Sequence, residues 1–307
     1  MRNTPVYENI LIVGGGLIGS SIARACREYG AAARVVMTDR DTAVRTSLRG
    51  LDICDEVSDE ANPADADLVI IAVPPGSIAD TAKALLLHMK PGATLTDVGS
   101  VKADVVDNIA PHLPDGIEFI GGHPIAGTEQ SGPEAGFASL FTDRWCILTP
   151  ADAQSAAAQT LEKFWQALGS RVEFMDAKHH DLVLATTSHL PHLIAYALVG
   201  TATDMETVTR GEVVKYSAAG FRDFTRIAAS NPIMWRDVFL QNKDAVLDVL
   251  GRYIEDLTAL KKAVRWGDGD TLLKEFTKTR DIRTRIIDAG QDSPEPNFGR
   301  DVAGEED

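Results

Sequence analysis

The stretch Ile10-Leu11-Ile12-Val13-Gly14-Gly15-Gly16-Leu17-Ile18-Gly19 decides how the rest of the chain is read. Four apolar residues run directly into a G-x-G-x-x-G, and residues 17–29 continue with helical spacing. At such a strand-to-helix junction Gly14 permits the tight turn. Gly16 lets backbone N–H groups approach a pyrophosphate, and Gly19 allows close helix–strand packing. Leu17 and Ile18 complete the loop, and the positive end of the helix behind it favours an anion. Asp39 lies twenty residues past Gly19, at the end of the next apolar run. A carboxylate there bonds ribose hydroxyls and repels a 2′-phosphate, which predicts NAD over NADP. Arg40 beside it is the residue through which NADP would instead be accommodated.

Outward from that loop, short apolar runs alternate with helical stretches. Strands are predicted at 34–38, 68–73, 93–98 and 118–120, with helices at 78–87 and from 101 onward. Val73 closes the third run just before Pro74-Pro75, on the cofactor side of the sheet. Continuous Val/Ile-rich runs read as strands buried on both faces of a parallel sheet. A helix at 155–168 and a strand at 171–174 complete the sheet, after which strand signals fade. Residues 176–202 are helical in period, interrupted by Pro191. Asn231-Pro232 reads as an N-cap followed by proline at the first helical position, opening a helix to about Val264. A last helix covers 268–288. The predicted architecture is an α/β Rossmann-type N-terminal domain with a mostly parallel sheet, followed by an all-helical C-terminal domain. Residues 1–175 would bind the dinucleotide, 176–290 would carry substrate and dimer contacts, and 291–307 would form a disordered acidic tail.

The 30 Lys+Arg against 45 Asp+Glu leave a formal net charge of −15, and 44% of residues are hydrophobic. Such a chain folds, and it is a poor partner for nucleic acid, whose binding rests on Lys and Arg. Cys26, Cys54 and Cys146 are odd in number, far apart and without a C-x-x-C pair, which argues against a disulfide framework or zinc ribbon. With no signal-peptide layout and no apolar run near the length of a membrane span, a cytoplasmic protein is expected.

Four further clusters carry chemistry. Asp97-Val98-Gly99-Ser100-Val101-Lys102 lies at a strand end, where open α/β sheets collect ligands. It reads equally as an ordinary helix start, with Ser100 as cap and Lys102 solvated. Gly121-Gly122-His123-Pro124-Ile125-Ala126-Gly127-Thr128-Glu129 puts a histidine in a Gly/Pro-rich loop, a good general acid/base candidate. His179, His180, His189 and His192 share one predicted helix with Asp181, Ser188 and Pro191. Asp181, Ala185, Ser188 and His192 fall on one helical face, and Pro191 frees a carbonyl and kinks the helix. The pattern is not H-E-x-x-H, and no metal centre is expected. In Gly220-Phe221-Arg222-Asp223-Phe224-Thr225-Arg226, Arg222 and Asp223 read as a structural pair and Arg226 as a carboxylate anchor.

Taken in order, GGGLIGSS, Asp39, DVGSVK, GGHPIAGTE, the SHLPH helix, GFRDFTRIA and NPIMWRD resemble the prephenate/arogenate dehydrogenases of tyrosine biosynthesis, from about residue 8 to about residue 290. The resemblance implies an NAD-dependent oxidative decarboxylation, of prephenate to 4-hydroxyphenylpyruvate or of arogenate to tyrosine. It implies that His123 is the catalytic histidine at the ring hydroxyl and that Ser100 orients that hydroxyl near the nicotinamide. It further implies that Arg226 holds a substrate carboxylate, that His192 and His189 line the side-chain end of the pocket, and that Glu129 and Thr128 stand at its edge. A homodimer built through the helical domain is implied as well. No fused chorismate mutase domain or C-terminal ACT domain is expected, so inhibition by tyrosine would act at the active site. The alternative enzyme, a β-hydroxyacid-type dehydrogenase, would place a lysine where this chain has histidines. A nucleotide-sensing protein without turnover would have no need of His123, Ser100 and Arg226 together.

Overall fold

The first strand shows why the sheet forms. In β1 (Tyr7–Val13), Ile10 and Ile12 pack into one buried cluster while Leu11 and Val13 pack into another on the opposite face. A strand apolar on both faces is stable only between two layers of helices. The computed structural model describes residues 4–128, 130–209 and 219–288. Helices α1 (Leu17–Tyr29), α2 (Thr42–Leu51) and α5 (Ala156–Ala167) bring Ile22, Leu48, Phe164 and Trp165 to the first cluster. Helices α3 (Ile78–Leu86) and α4 (Ala103–Ile109) bring Ala82, Leu85, Val105 and Ile109 to the second.

The remaining strands are β2 (Ala32–Thr38), β3 (Glu56–Val57), β4 (Leu68–Ile71), β5 (Thr94–Asp97), β6 (Glu118–Pro124), β7 (Trp145–Thr149) and β8 (Arg171–Phe174). They form one eight-stranded sheet in the order β3-β2-β1-β4-β5-β6-β7-β8. All neighbours are parallel except β6 and β7. The first six positions follow the dinucleotide-binding order, whose chain reversal between β1 and β4 opens a crevice at the carboxyl ends of the strands.

The structure corrects the sequence expectations at four places. Strand β6 runs on to Pro124, because Gly122 and His123 pair with Leu148 and Ile147 of β7, a strand that was not predicted. His123 therefore sits in a strand and is 8% exposed; it is not in an open loop. The helix predicted from Asn231 is divided at Asn242 into Pro232–Gln241 and Lys243–Trp266. Finally, Ala177–Asp204 is, at 28 residues, long and apolar enough to cross a membrane by length and composition. That stretch nevertheless contains buried His180, Asp181 and His189, polar groups that hydrogen-bond within the fold.

Helix α6 (Ala177–Leu184) passes through a π-helical turn, Ala185–His189, into α7 (Leu190–Thr209). Pro191 is the second residue of α7, and a proline has no N–H to give the preceding turn and crowds its carbonyl. Residues up to Val249 form one compact unit and Leu250–Asp307 a second. The acidic tail at 291–307, expected to be disordered, lies outside the described residues.

Gly14 has φ of +112°, and a Cβ on it would strike the Ala72 carbonyl. Gly16 has open space where its Cβ would be. Gly14→Ala is therefore expected to lose about 1–3 kcal/mol and Gly16→Ala close to nothing, as read by urea unfolding. Equal stability of the two variants would contradict this reading of the loop.

Candidate active site

Strand β5 ends in Asp97, and five residues later Lys102 starts helix α4. Both side chains are completely buried and form an ion pair. The Lys102 ammonium also donates to the Gly122 carbonyl at 2.7 Å. Asp97 accepts from Gly99 N at 2.8 Å and from Gly122 N at 3.2 Å, so the pair is satisfied on both sides. Burial pushes the Lys102 ammonium down, while Asp97 works the other way. Lys102 thus ties the ends of β5 and β6 together and is neither the solvated lysine nor the ligand-facing donor of the sequence reading.

Ser100 does not cap α4 either. The first N–H groups of that helix, Lys102 N and Ala103 N, donate to the two carboxylate oxygens of Asp181 at 2.8 and 2.9 Å. A carboxylate at a helix N-terminus satisfies orphan donors and meets the positive end of the helix dipole. The Asp181 Oδ1 atom also lies 2.8 Å from His180 Nδ1, and His180 Nε2 lies 2.9 Å from His123 Nδ1. His180 is 0% exposed. Burial holds His123 well below the usual histidine range, and the neighbouring His180, Lys102 and His189 push the same way. Burial also lowers His180, against a raising contribution from Asp181. Both directions favour neutral rings near pH 7, and a neutral imidazole keeps one nitrogen able to accept a hydrogen bond.

A second layer stands beside this chain. Asn242 Nδ2 donates to the Asp181 backbone carbonyl at 2.8 Å and to His189 Nδ1 at 3.0 Å. His189 is 1% exposed, and its ring lies edge-on to Trp235. His192 is half-buried and stacks on Trp235 with ring centroids 3.6 Å apart, while its Nδ1 faces the Ser188 carbonyl at 2.9 Å. Ser100 is half-buried between the end of β5 and α4.

The glycine loop lies at the same carboxyl-terminal edge of the sheet. Asp39 accepts from Gly15 N at 2.8 Å, which draws the carboxylate against the loop. No side chain caps α1, and the space around Gly16 is open. Those features leave uncapped N–H groups and room for a pyrophosphate, so the residues fit a dinucleotide.

The profile described as prephenate dehydrogenase, nucleotide-binding domain, matches residues 22–174, and the one described as prephenate dehydrogenase, dimerization domain, matches residues 176–278. The chain belongs to the prephenate dehydrogenase family. It is 42% identical over 284 residues to a cyclohexadienyl dehydrogenase of Zymomonas mobilis, covering 92% of this chain and 97% of the relative. A prephenate dehydrogenase of Bacillus subtilis is 35% identical, with 90% of this chain and 75% of the relative covered. Among solved structures, the prephenate dehydrogenase of A. aeolicus in complex with hydroxyphenyl propionate and NAD+ superposes with a TM-score of 0.84 at 36% identity, covering 91% of this chain and 98% of that one.

Within this prephenate dehydrogenase fold, His123 is brought together with His180 and Asp181, while His189 and His192 gather around Trp235. Val73 follows β4 beside Gly14, and Arg40 is exposed next to Asp39. Thr128 is exposed and accepts from Gln130 N at 3.2 Å; Glu129 lies outside the described residues. Arg226 is exposed on the short 3-10 turn Arg226–Ala229, which Tyr196 ties to α7 through the Ser230 carbonyl at 2.9 Å. No hydrogen bond among the described residues joins Arg226 to the histidine cluster. Arg222 and Asp223, expected as a structural pair, are neighbours on the helix Ala219–Thr225; both are exposed and no ion pair joins them among the described residues. The sequence names His180 among the four histidines of one helix but assigns it no role, and its adjacency to Asp181 is the available signal; Asn242, beside His189, carries no such signal.

Burial lowers His189 to about 4. In the unfolded chain a histidine takes up its proton near pH 6.5, whereas folded His189 does so only near 4. Folding stability is thus fully present above about pH 6.5 and lost as the pH falls towards 4, and His123 and His180 act in the same direction. Urea unfolding at pH 7 and pH 5 is expected to show the loss, with a smaller loss in His189→Gln. A flat profile in the wild-type chain would contradict neutral burial of these rings.

Proposed function

We propose that this chain oxidises prephenate, arogenate or both with NAD, and releases the ring carboxylate as CO2. The observation that carries the reading is His123, a buried, neutral imidazole held at Nδ1 and set at the same sheet edge as the glycine loop. In a family of dehydrogenases this is where a base must meet the substrate hydroxyl. The dinucleotide, when bound, supplies the acceptor for the hydride from ring C4.

His123 accepts the hydrogen bond of the C4 hydroxyl and takes up positive charge as that oxygen becomes carbonyl-like. It returns the proton when the ring becomes aromatic. Ser100 orients the same hydroxyl from the end of β5. Breaking the bond to the carboxylate leaves its electron pair in the ring, so aromatisation drives CO2 loss. Arg226, with His192, His189, Thr128 and Glu129 around the pocket, completes substrate binding in this reading. Gly14, Gly16, Leu17, Ile18, Gly19, Asp39, Arg40, Val73 and Ser100 line the cofactor side. Residues 1–175 carry the dinucleotide and 176–290 the substrate. Two copies associate through the helical half; Val264, Trp266 and Leu273 are 66%, 73% and 67% exposed in support of such a contact. A cytoplasmic setting suits the three unpaired cysteines.

The experiment is NADH formation followed in parallel with prephenate and with arogenate. Turnover with at least one is expected, and His123→Asn should lower it by about 10²–10⁴-fold with NAD affinity retained. Silence with both substrates would overturn the assignment, and full turnover in His123→Asn would remove His123 from the mechanism.

A further inference from the structure

We infer that His180, held by Asp181, is a positioning residue that fixes the tautomer of His123, so that His123 Nε2 carries the lone pair presented to substrate. The inference rests on the reading of His123 as the base and adds what makes it one. A neutral imidazole has one nitrogen that donates and one that accepts, and either can carry the proton. Only the form with a bare Nε2 can accept from a hydroxyl at that atom.

The direction of the chain is set at its far end. Asp181 Oδ1 accepts from Lys102 N at 2.8 Å and Oδ2 from Ala103 N at 2.9 Å. A backbone N–H cannot become an acceptor, so both oxygens face fixed donors and the carboxylate stays an acceptor. His180 Nδ1, 2.8 Å from Oδ1, must then hold the proton of that ring. Since buried His180 is neutral, its Nε2 is bare. Two bare nitrogens would not rest 2.9 Å apart, so the hydrogen between the rings belongs to His123 Nδ1. His123 Nε2 is therefore unprotonated. Reversing its tautomer would require turning over the whole chain against two N–H groups of α4 that cannot reverse. The same logic orients the base in hydrolase triads, where a carboxylate selects the tautomer of its histidine.

The test separates tautomer from turnover. Nitrogen-15 NMR of the full chain at pH 7 should show a bare Nε2 on His123, identified by its loss in His123→Asn. In His180→Leu the two tautomers should mix. Its kcat should fall by about 10–10²-fold, part of the contribution a base makes, with KM and NAD affinity retained. His180→Gln, whose carboxamide can still accept from Nδ1, should recover part of kcat. A protonated Nε2 in the wild-type enzyme would overturn the inference even if turnover is normal. So would an unchanged His123 spectrum together with unchanged kcat in His180→Leu. Should the leucine variant fail to fold, the wild-type spectrum and the glutamine variant decide by the same criteria. Failure of the functional reading would appear separately, as inactivity of the wild-type enzyme with both substrates.

Discussion

The carboxylate of Asp181, set against the first two N–H groups of α4, is the contact on which the site depends. A buried carboxylate is costly unless its lone pairs are filled, and here two backbone donors and one imidazole fill them. The bond crosses 79 residues of sequence and pins helix α6 to the start of helix α4. Once that helix is pinned, His180 has one direction in which to point, and His123 lies in it. The Asp181 backbone carbonyl accepts from Asn242, which brings His189 and the start of the Lys243–Trp266 helix into the same network. Removal of the carboxylate would therefore loosen a helix and disorient the base together.

A second constraint lies beneath the first. Lys102 and Asp97 form a closed pair that joins β5 to β6 through the Gly122 backbone. Gly122 must be glycine for this, since a Cβ there would press on the Asp97 carbonyl. Burial comes first in holding the His123 imidazole uncharged, and the Lys102 ammonium, by disfavouring a second positive charge nearby, pushes the same way. The net charge of −15 has little bearing on this arrangement. What offers itself to an anion is local: α1 has no side-chain cap and the space at Gly16 is open, and such contacts act within the screening length.

Much of the fold was legible because the signals were local. The run Ile10–Val13 into three glycines, the N-cap Asn231 and the loss of strand pattern after Phe174 each stand on neighbours in sequence. Residues 121–124 were misread for the same reason: Gly-Gly-His-Pro looks like a loop, and only pairing with Trp145–Thr149 makes it a strand. Lys102 gave no local sign of burial, because its partners are a strand end and a glycine carbonyl. Periodicity put the four histidines on one helix, but the π-helical turn at Ala185–His189 shifts the faces after it. Which ring meets His123 follows from how α6 docks, and that depends on a hydrogen bond no short window contains.

In the proposed reaction a helix-anchored carboxylate, acting through His180, presents a bare His123 Nε2 to the substrate hydroxyl. The most direct measurement is a crystal structure of the enzyme with NAD and 4-hydroxyphenylpyruvate. The phenolic oxygen is expected about 2.6–3.2 Å from His123 Nε2, with the His123–His180–Asp181 chain intact. A phenolic oxygen held elsewhere, or a His123 ring turned to offer Nδ1, would contradict it.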